Sequence, residues 1–435
     1  MAWQEKYSQK INSAEEIMKK AIISGQKIFI TGNASTPTPL LTPLAERARE
    51  LTNLTASMIL SFGEMPLVEE GMEKHVRVNA LFMGENVRKA VAEGKADYTP
   101  VFLNEVPNLY RTDDQLRPDV AIIQVGPPDE HGFCSFGCEV GVSKTAAQVA
   151  KTVIAEVNDQ MPRSLGDSFI NVNRITHMIP TNRPLLEVTQ GTVDPISQKI
   201  AEIISNELIH DGDTLQLGIG AIADGVLKNG VKDKKDLGIH SEMFSNGVVK
   251  LLEDGIITNE KKTYHHGKII AGFFFGSKRL YDFVHNNPIF EMHPTEYVND
   301  PFVISRNDNM VAINGAIEVD LTGQVCSDSI GQRFYSGIGG QVDFIRGAAR
   351  SKNGRPIIAL PSTAKNETVS KIVPTLKPGA GVVTSRGDVH YVATEFGIAQ
   401  LYGRSIRERV KALISIAHPK FQDELTSYAK KNNMI

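Results

Sequence analysis

The sequence predicts an α/β protein built from two similar, open and mainly parallel sheets. Strand-like and helix-like segments alternate along the chain, an order that places helices on both faces of a parallel sheet. The order helix, strand, glycine turn and helix occurs in the first half and returns in the second. With 435 residues and 41% hydrophobic content, the chain is long and apolar enough for two packed cores. We therefore expect two related domains, residues 1–188 and 189–435.

The first unit of the repeat begins with a helix at residues 13–25, where apolar residues have helical spacing. Ser13 is a suitable N-cap residue, and Glu16 three positions later completes a capping box. The β-branched and aromatic run at residues 27–31 (KIFIT) predicts a strand, and a glycine follows it. A second helix is expected at residues 39–50.

The second unit repeats this order after residue 193. Asp194 is a suitable N-cap for a helix that has a proline in its first turn and extends to about residue 210. A strand follows at residues 214–217 (TLQL) and ends at Gly218, just as the earlier strand ends at Gly32.

A further strand occupies the same place in both halves. Residues 56–62 (ASMILSF) lead to Glu64, and residues 236–240 (DLGIH) lead to Glu242. We place the join between the domains near residues 182–192, a stretch that contains proline and glycine and precedes the second unit.

Composition excludes several classes of function. Lys and Arg total 47 against 50 Asp and Glu, for a formal net charge of −3, and the basic residues are scattered, so we expect neither nucleic acid nor a membrane as partner. The first ten residues are polar, and no stretch approaches the roughly 18 apolar residues of a membrane span, which predicts a cytoplasmic protein. Cys134 and Cys138 lack the second pair of a zinc site, so we interpret the cysteines as buried thiols.

Residues 217–223 (LGIGAIA) form the first candidate site. Glycines between a strand and a helix let backbone N–H groups approach an anion or oxyanion, although a tight turn without a ligand explains the motif equally well. The pattern also fits a relaxed dinucleotide fingerprint, with Glu242 near the ~20-residue offset of a ribose-binding acid. Taken alone, this loop does not separate hydride transfer from acyl chemistry.

Glu242 itself is the second candidate, because it stands at a predicted strand end beside the apolar Met243 and Phe244. Without further context, an inert surface glutamate is the more common case.

The third candidate is residues 336–343 (SGIGGQVD). Three glycines in four positions suit an oxyanion hole, a contact with a cofactor or a structural turn. A second glycine loop is more than a dinucleotide site requires, which favours acyl chemistry over a dehydrogenase.

The fourth candidate is residues 361–365 (PSTAK). Its small hydroxyl residues beside a lysine can bind a phosphate group, although an exposed loop lysine without a ligand is more common.

Seven motifs occur in order almost from end to end. They are VGPPDEHGFCSFG (125–137), VIAEVNDQMPR (153–163), LGIGAIADGVL (217–227), GIHSEMFSNG (238–247), NGAIEVDLTGQV (314–325), SGIGGQVDFIRGA (336–348) and TEFGIAQLYGRS (394–405). Together they resemble the acetyl-CoA hydrolase/transferase family, and within it the 4-hydroxybutyrate and butyryl-CoA:acetate CoA-transferases. The resemblance implies two CoA-transferase domains of the NagB/RpiA-like type.

The resemblance also implies roles for individual residues. It makes Glu242 the catalytic nucleophile and assigns Asn314 and Glu395 to substrate binding. One departure concerns helix entry, because relatives often have proline where this chain has Ala223. The oxyanion and CoA-binding residues that it implies are Gly218, Ile219, Gly220, Ala221, Ile222, Ser336, Gly339, Gly340 and Lys365.

The implied reaction is transfer of CoA between an acyl-CoA and a small carboxylate through a glutamyl-CoA thioester. Coenzyme A is then a substrate, and neither nicotinamide nor flavin is expected. No metal is expected either, because CoA thiolate is a good leaving group and an unperturbed glutamate is ionised at neutral pH. Relatives suggest a homodimer or larger homo-oligomer. Three alternatives stay open: an acyl-CoA hydrolase using the same site, an NAD-dependent dehydrogenase, and an acyl-CoA-binding protein in which Glu242 is inert.

Overall fold

The computed structural model describes residues 3–188 and 191–435. In chain order the strands of these residues are β1 (Lys27–Ile30), β2 (Leu54–Ile59), β3 (Val76–Phe82), β4 (Asp97–Tyr98), β5 (Val120–Val125), β6 (Phe133–Ser135), β7 (Thr152–Asn158), β8 (Leu165–Gly166), β9 (Phe169–Asn171), β10 (His177–Thr181), β11 (Thr214–Leu217), β12 (Gly238–Phe244), β13 (Ile269–Phe274), β14 (Phe290–Met292), β15 (Met310–Gly315), β16 (Glu318–Asp320), β17 (Val325–Cys326), β18 (Ser329–Ile330), β19 (Arg333–Phe334), β20 (Arg355–Ala359), β21 (Thr363–Ala364), β22 (Val369–Ser370), β23 (Ile372–Val373), β24 (Tyr391–Thr394) and β25 (Gly397–Gln400).

The helices alternate with these strands, as the sequence predicted. They are α1 (Trp3–Lys6), α2 (Ala14–Ala21), α3 (Thr38–Ala48), α4 (Glu85–Ala92), α5 (Val106–Thr112), α6 (Ser143–Val149), α7 (Pro195–Leu208), α8 (Ala221–Gly225), α9 (Asn246–Glu253), α10 (Lys278–Val284), α11 (Thr295–Val298), α12 (Pro301–Ile304), α13 (Gln341–Arg350), α14 (Ile406–Ser415) and α15 (Pro419–Lys431).

The described residues form two compact units. Unit 1 contains residues 3–188 and Ile270–Val298, and unit 2 contains residues 191–269 and Asn299–Ile435. Thr189 and Gln190, where the predicted C-terminal domain begins, lie outside the described residues. The predicted C-terminal domain includes 270–298, but this segment groups with unit 1, where its backbone forms hydrogen bonds. The N–H of Phe274 donates to the carbonyl of Cys138 at 2.9 Å, and β14 pairs with β8.

Unit 1 contains a seven-stranded sheet in the order β10-β7-β5-β1-β2-β3-β4, and all neighbouring strands are parallel. The sheet grows in both directions from β1, where Phe29 pairs with Ser57 of β2 and with Ala121 of β5. Phe29 is fully buried, as expected for the central strand of a sheet that is covered on both faces.

Unit 2 contains strands in the order β25-β24-β20-β15-β11-β12, parallel except for the antiparallel pair β24 and β25. Its first strand, β11, again has later strands on both sides. The prediction of mainly parallel α/β sheets is confirmed. Because open sheets of this kind bind ligands where the strand order reverses, we take the carboxyl ends of β11, β12 and β15 as the candidate ligand-binding edge of unit 2.

Two predicted helix caps are present. Ser13 Oγ accepts the N–H of Glu16 at 3.2 Å at the start of α2. Asp194 Oδ1 accepts the N–H groups of Ile196 and Ser197, both at 3.0 Å, at the start of α7. These bonds satisfy donors that an α-helix leaves unpaired in its first turn.

Two further sequence expectations concern apolar segments and thiols. No helix of the described residues has the length and apolar character needed to cross a bilayer. Cys134, Cys138 and Cys326 are buried free thiols, as predicted, and burial raises the pKa of Cys134 to about 12. A thiol with such a pKa is a poor nucleophile at neutral pH.

Replacing the α7 cap, Asp194→Ala, is expected to lower the free energy of unfolding by about 1 kcal/mol, because two N–H groups lose their acceptor. The hydrogen bond with Ser197 holds the pKa of Asp194 below its ordinary value. The difference from wild type should therefore be present at neutral pH and shrink as the pH falls through that lowered pKa. Urea unfolding measures it at both pH values. Asp194→Asn keeps one acceptor and serves as control, so equal losses in the two variants would contradict the capping role.

Candidate active site

Glu242 lies near the carboxyl end of β12, beyond the residues of this strand that pair with β11. The two residues that follow, Met243 and Phe244, are buried, while the Glu242 side chain keeps some exposure at the candidate ligand-binding edge. The predicted strand ended at residue 240, so β12 continues further than expected and carries the glutamate within it. A rigid strand therefore positions this carboxylate.

Two donors hold the Glu242 carboxylate. Asn299 Nδ2 donates to Glu242 Oε2 at 2.9 Å, and the backbone N–H of Gly340 donates to the same carboxylate. Asn299 is fully buried just before α12, and Gly340 immediately precedes α13. Three segments that are distant in sequence thus converge on one side chain.

Burial raises the pKa of Glu242 to about 7, while the hydrogen bonds from Asn299 and Gly340 oppose this shift. The expectation of an unperturbed glutamate is therefore wrong, because the loss of hydration outweighs the two donors. Both protonation states of Glu242 are therefore accessible near neutral pH.

The predicted glycine loop at residues 336–343 supplies one direct contact. A Cβ atom at Gly340 would overlap Glu242 Oε2 and Asn299 Nδ2, so only glycine lets this N–H approach the carboxylate. Gly339 has φ 61°, a left-handed conformation that shapes the turn before it. The Ser336 hydroxyl lies 3.3 Å from the backbone carbonyl oxygens of both Ser327 and Gly337, either of which can accept its one hydrogen, at the start of the loop.

The other glycine loop lines a cleft of about 610 Å³. All five predicted residues of this loop line it, and Gly220 has φ 132°, which favours glycine. The helix after the loop, α8, is short and continues as a π-helical turn at Val226–Gly230. The lining is mostly apolar side chains and backbone, and consists of Ser197, Gly218, Ile219, Gly220, Ala221, Ile222, Ala223, Ile313, Asn314, Gly315, Ala316, Ala359 and Pro361.

Asn314 lines this cleft, but its amide group is already paired. Its Nδ2 donates to Gln216 Oε1 at 2.9 Å, and Gln216 Nε2 donates to its Oδ1 at 3.3 Å. The pair joins β15 to β11 beneath the glycine loop. These contacts support a positioning role, and the assignment of Asn314 to substrate binding stays a prediction.

Lys365 lines a second, open depression of about 950 Å³, which shares Pro361 with the first cleft. The lysine is exposed between β21 and β22 and has φ 52°. Asp194 and Glu367 line the same depression. The location beside the cleft is compatible with a contact to the phosphates of CoA, and that contact stays a prediction.

Glu395 makes contacts that differ in kind from those of Glu242. Its carboxylate accepts the N–H of Ser362 at 2.8 Å and the Ser362 hydroxyl at 2.6 Å, and the residue is buried. It therefore anchors the segment at residues 361–365. A carboxylate repels a second carboxylate unless one is protonated, so the contacts support anchoring better than direct binding of an acid. The predicted substrate contact is untested.

Sequence reasoning missed two residues of the site, Asn299 and Asp343. Asn299 Nδ2 lies 2.9 Å from Glu242 Oε2 and 3.4 Å from Asp343 Oδ2. Asn299 belongs to no glycine loop and no repeated element, and 57 positions separate it from Glu242. Asp343 was part of the predicted glycine loop, but its role depends on a contact that only folding creates.

Models of a known family match most of the chain. The acetyl-CoA hydrolase/transferase N-terminal domain matches residues 1–205, and the C-terminal domain of the same name matches residues 276–429. The chain belongs to the acetyl-CoA hydrolase/transferase family. The resemblance inferred from the seven motifs is confirmed.

Members of this family are similar over almost the whole chain. The 4-hydroxybutyrate coenzyme A transferase of Clostridium kluyveri is 49% identical over 99% of this chain and 100% of its own length. The succinyl-CoA:acetate/propanoyl-CoA:succinate CoA transferase of Fasciola hepatica is 47% identical over 93% of this chain and 84% of its own length. The solved structure of 4-hydroxybutyrate CoA-transferase from Porphyromonas gingivalis superposes with a TM-score of 0.84 at 40% identity, covering 99% of this chain and 100% of that chain.

The environment of Glu242 predicts an unusual titration. Carbon-detected NMR of side-chain-labelled glutamate should show two carboxyls that titrate near pH 7, those of Glu242 and Glu139, and only the first should disappear in Glu242→Gln. In Asn299→Ala the pKa of Glu242 should rise further, because the ionised form loses a donor. Asn353→Ala, at an exposed position, is the matched control and should leave it unchanged. A Glu242 pKa near 4.5 in the wild-type protein would refute the described environment.

Proposed function

We propose that the protein is a CoA-transferase that moves CoA between an acyl-CoA and a small carboxylate through a glutamyl-CoA thioester on Glu242. The observation that carries this proposal is the Glu242 carboxylate at the candidate ligand-binding edge of unit 2, held by Asn299 Nδ2 and the Gly340 N–H. Relatives that are 49% and 47% identical are CoA-transferases by name.

The first step uses the ionised form of Glu242. One carboxylate oxygen attacks the carbonyl carbon of the acyl-CoA, the C–S bond breaks, and CoA leaves as a thiolate. The product is a mixed anhydride between Glu242 and the acyl group. Because only the carboxylate attacks, the rate of this step rises as the pH increases through the pKa of about 7.

The second step occurs at the carboxyl carbon of Glu242. The CoA thiolate attacks Cδ, the anhydride bond breaks, and the donor acid leaves as a carboxylate, so that Glu242 holds CoA as a thioester. Negative charge develops on the retained glutamyl oxygen, where Asn299 Nδ2 and the Gly340 N–H donate. Donors of this kind stabilise the transition state by about 2.7–4 kcal/mol each in other enzymes. An acceptor carboxylate then reverses both steps.

The cleft beside β11 suits the pantetheine part of CoA. Its apolar and backbone lining at residues 218–222 offers van der Waals contact and N–H groups without a competing charge. Lys365, in the adjoining depression, is our candidate for the phosphates at the nucleotide end of CoA. Ser336 and Gly339 shape the loop that presents Gly340.

Two alternatives receive less support. A dinucleotide site needs the acid after the glycine loop to face a ribose, whereas Glu242 Oε2 accepts a hydrogen bond from Asn299. An acyl-CoA hydrolase would use the same glutamate, and the family description includes that activity.

The relatives act, by their names, on 4-hydroxybutyrate and on succinate, acetate and propanoate, so we propose small carboxylates as substrates. We also propose a cytoplasmic homodimer or larger homo-oligomer.

Trapping the covalent intermediate tests the proposal directly. After incubation with acetyl-CoA or butyryl-CoA and no acceptor acid, intact-protein mass spectrometry should detect a CoA adduct, and borohydride reduction should mark Glu242 in the peptide map. Glu242→Gln should form no adduct and lose about 10³-fold or more of the transfer rate. Glu64→Gln, at the equivalent place of the internal repeat, should still form the adduct. A wild-type protein with Glu242 unmodified and acyl-CoA intact would exclude this mechanism.

The need for an acceptor acid separates transfer from hydrolysis. A transferase without acceptor should consume about one equivalent of acyl-CoA per site and then stop, because the glutamyl thioester is protected from water. Adding acetate, propionate, butyrate, succinate or 4-hydroxybutyrate in turn should restart turnover and rank the acids. Continuous release of free CoA in the absence of any acid would establish the hydrolase alternative.

A further inference from the structure

The amide of Asn299 lies between two carboxylates. Its Nδ2 is 2.9 Å from Glu242 Oε2 and 3.4 Å from Asp343 Oδ2, and Asn299 and Asp343 are both buried. In both contacts the amide NH₂ donates to a carboxyl oxygen, so both neighbours bind the NH₂ side of the amide rather than its carbonyl. Among residues 3–188 and 191–435, Asn299 Oδ1 has no hydrogen-bond partner, so the orientation of the amide depends on its NH₂ side.

The two carboxylates differ in what the reaction does to them. This argument rests on the proposed function, in which Glu242 becomes first an anhydride and then a thioester. Its oxygen is then a neutral carbonyl, which accepts a hydrogen bond less strongly than a carboxylate does. Asp343 is not changed by the chemistry. Asp343 therefore remains an acceptor for Asn299 in the anhydride and the thioester, where the hydrogen bond from Asn299 to the Glu242 oxygen is weakest.

We propose that Asp343 is a positioning residue that keeps Asn299 Nδ2 directed at the Glu242 oxygen while Glu242 is covalently modified. Asp343 lies in the first turn of α13, three residues after Gly340, whose N–H is the second donor to Glu242. The Gly340 carbonyl accepts the N–H of Phe344 at 3.1 Å, so Gly340 and Asp343 are held in the same helical turn. The N-terminal end of α13 therefore positions both donors to Glu242. It supplies the Gly340 N–H directly, and through Asp343 it orients the Asn299 amide.

A purely structural role is the rival explanation. Aspartate in the first turn of a helix is stabilising in many proteins, because it complements the positive end of the helix dipole. In that case its removal would weaken α13 without any special relation to Asn299. The two roles differ in one measurable respect, namely whether the effects of changing Asp343 and Asn299 are independent.

A double-mutant cycle on the second half-reaction tests the proposal. The glutamyl-CoA enzyme is isolated, excess acetate is added, and the single-turnover rate of acetyl-CoA formation is measured. Asp343→Leu removes the acceptor at similar volume and should slow this rate about tenfold. Asp343→Asn keeps an acceptor oxygen and should stay within about threefold of wild type. Asp343→Leu combined with Asn299→Ala should be no slower than Asn299→Ala alone.

The matched control is Asp388, which accepts a hydrogen bond from Arg346 of α13 at 3.2 Å. Asp388→Leu removes an aspartate bound to the same helix, and its effect on the rate should multiply with that of Asn299→Ala. If the effects of Asp343→Leu and Asn299→Ala also multiply, Asp343 does not act through Asn299 and the proposal is overturned.

A second measurement applies if Asp343→Leu does not fold. The side-chain NH₂ resonance of Asn299, assigned by its loss in Asn299→Ala, should exchange its hydrogens no faster when wild-type Glu242 carries CoA than in the unmodified enzyme. Exchange that accelerates on adduct formation overturns the proposal. If no adduct forms at all, the proposed function fails instead, so the two failures are distinguishable.

Discussion

The loss of hydration around one carboxylate is the constraint on which the site depends. Burial makes the ionised form of Glu242 costly and raises its pKa to about 7, and the donors Asn299 Nδ2 and Gly340 N–H recover part of that cost. In the proposed mechanism, the same two donors face the oxygen on which charge develops when Cδ is attacked. These two donors are in place in the folded protein before any reaction begins, as expected for a preorganised site.

The parallel sheet of unit 2 explains how such a site is built. The strand order reverses at β11, so the carboxyl ends of β11, β12 and β15 meet at one edge. The edge provides a glycine loop, the proposed nucleophile Glu242, and the paired amides of Gln216 and Asn314. Gly340 completes the site only because its lack of a side chain leaves room for Glu242 Oε2. The proposed mechanism therefore uses both backbone N–H groups and one carboxylate.

Several polar groups near the site are engaged with other protein groups. Asn314 binds Gln216, and Glu395 binds both the N–H and the hydroxyl of Ser362. Buried polar groups that have partners rigidify their surroundings, whereas unpaired ones would weaken the fold. These pairs hold the walls of the cleft in position, and they limit which side chains are free to contact CoA or an acid. Asp343 extends the same principle to Asn299.

The sequence by itself determined the alternation of strands and helices, the caps at Ser13 and Asp194, the glycine loops and the family, because these properties are local or lie in ordered motifs. It also singled out Glu242, which stands in such a motif. Only the tertiary structure decided that 270–298 groups with unit 1, that Asn299 and Asp343 belong to the site, and that the pKa of Glu242 is raised. Each of these depends on contacts between residues far apart in the chain, and on the loss of water that those contacts cause.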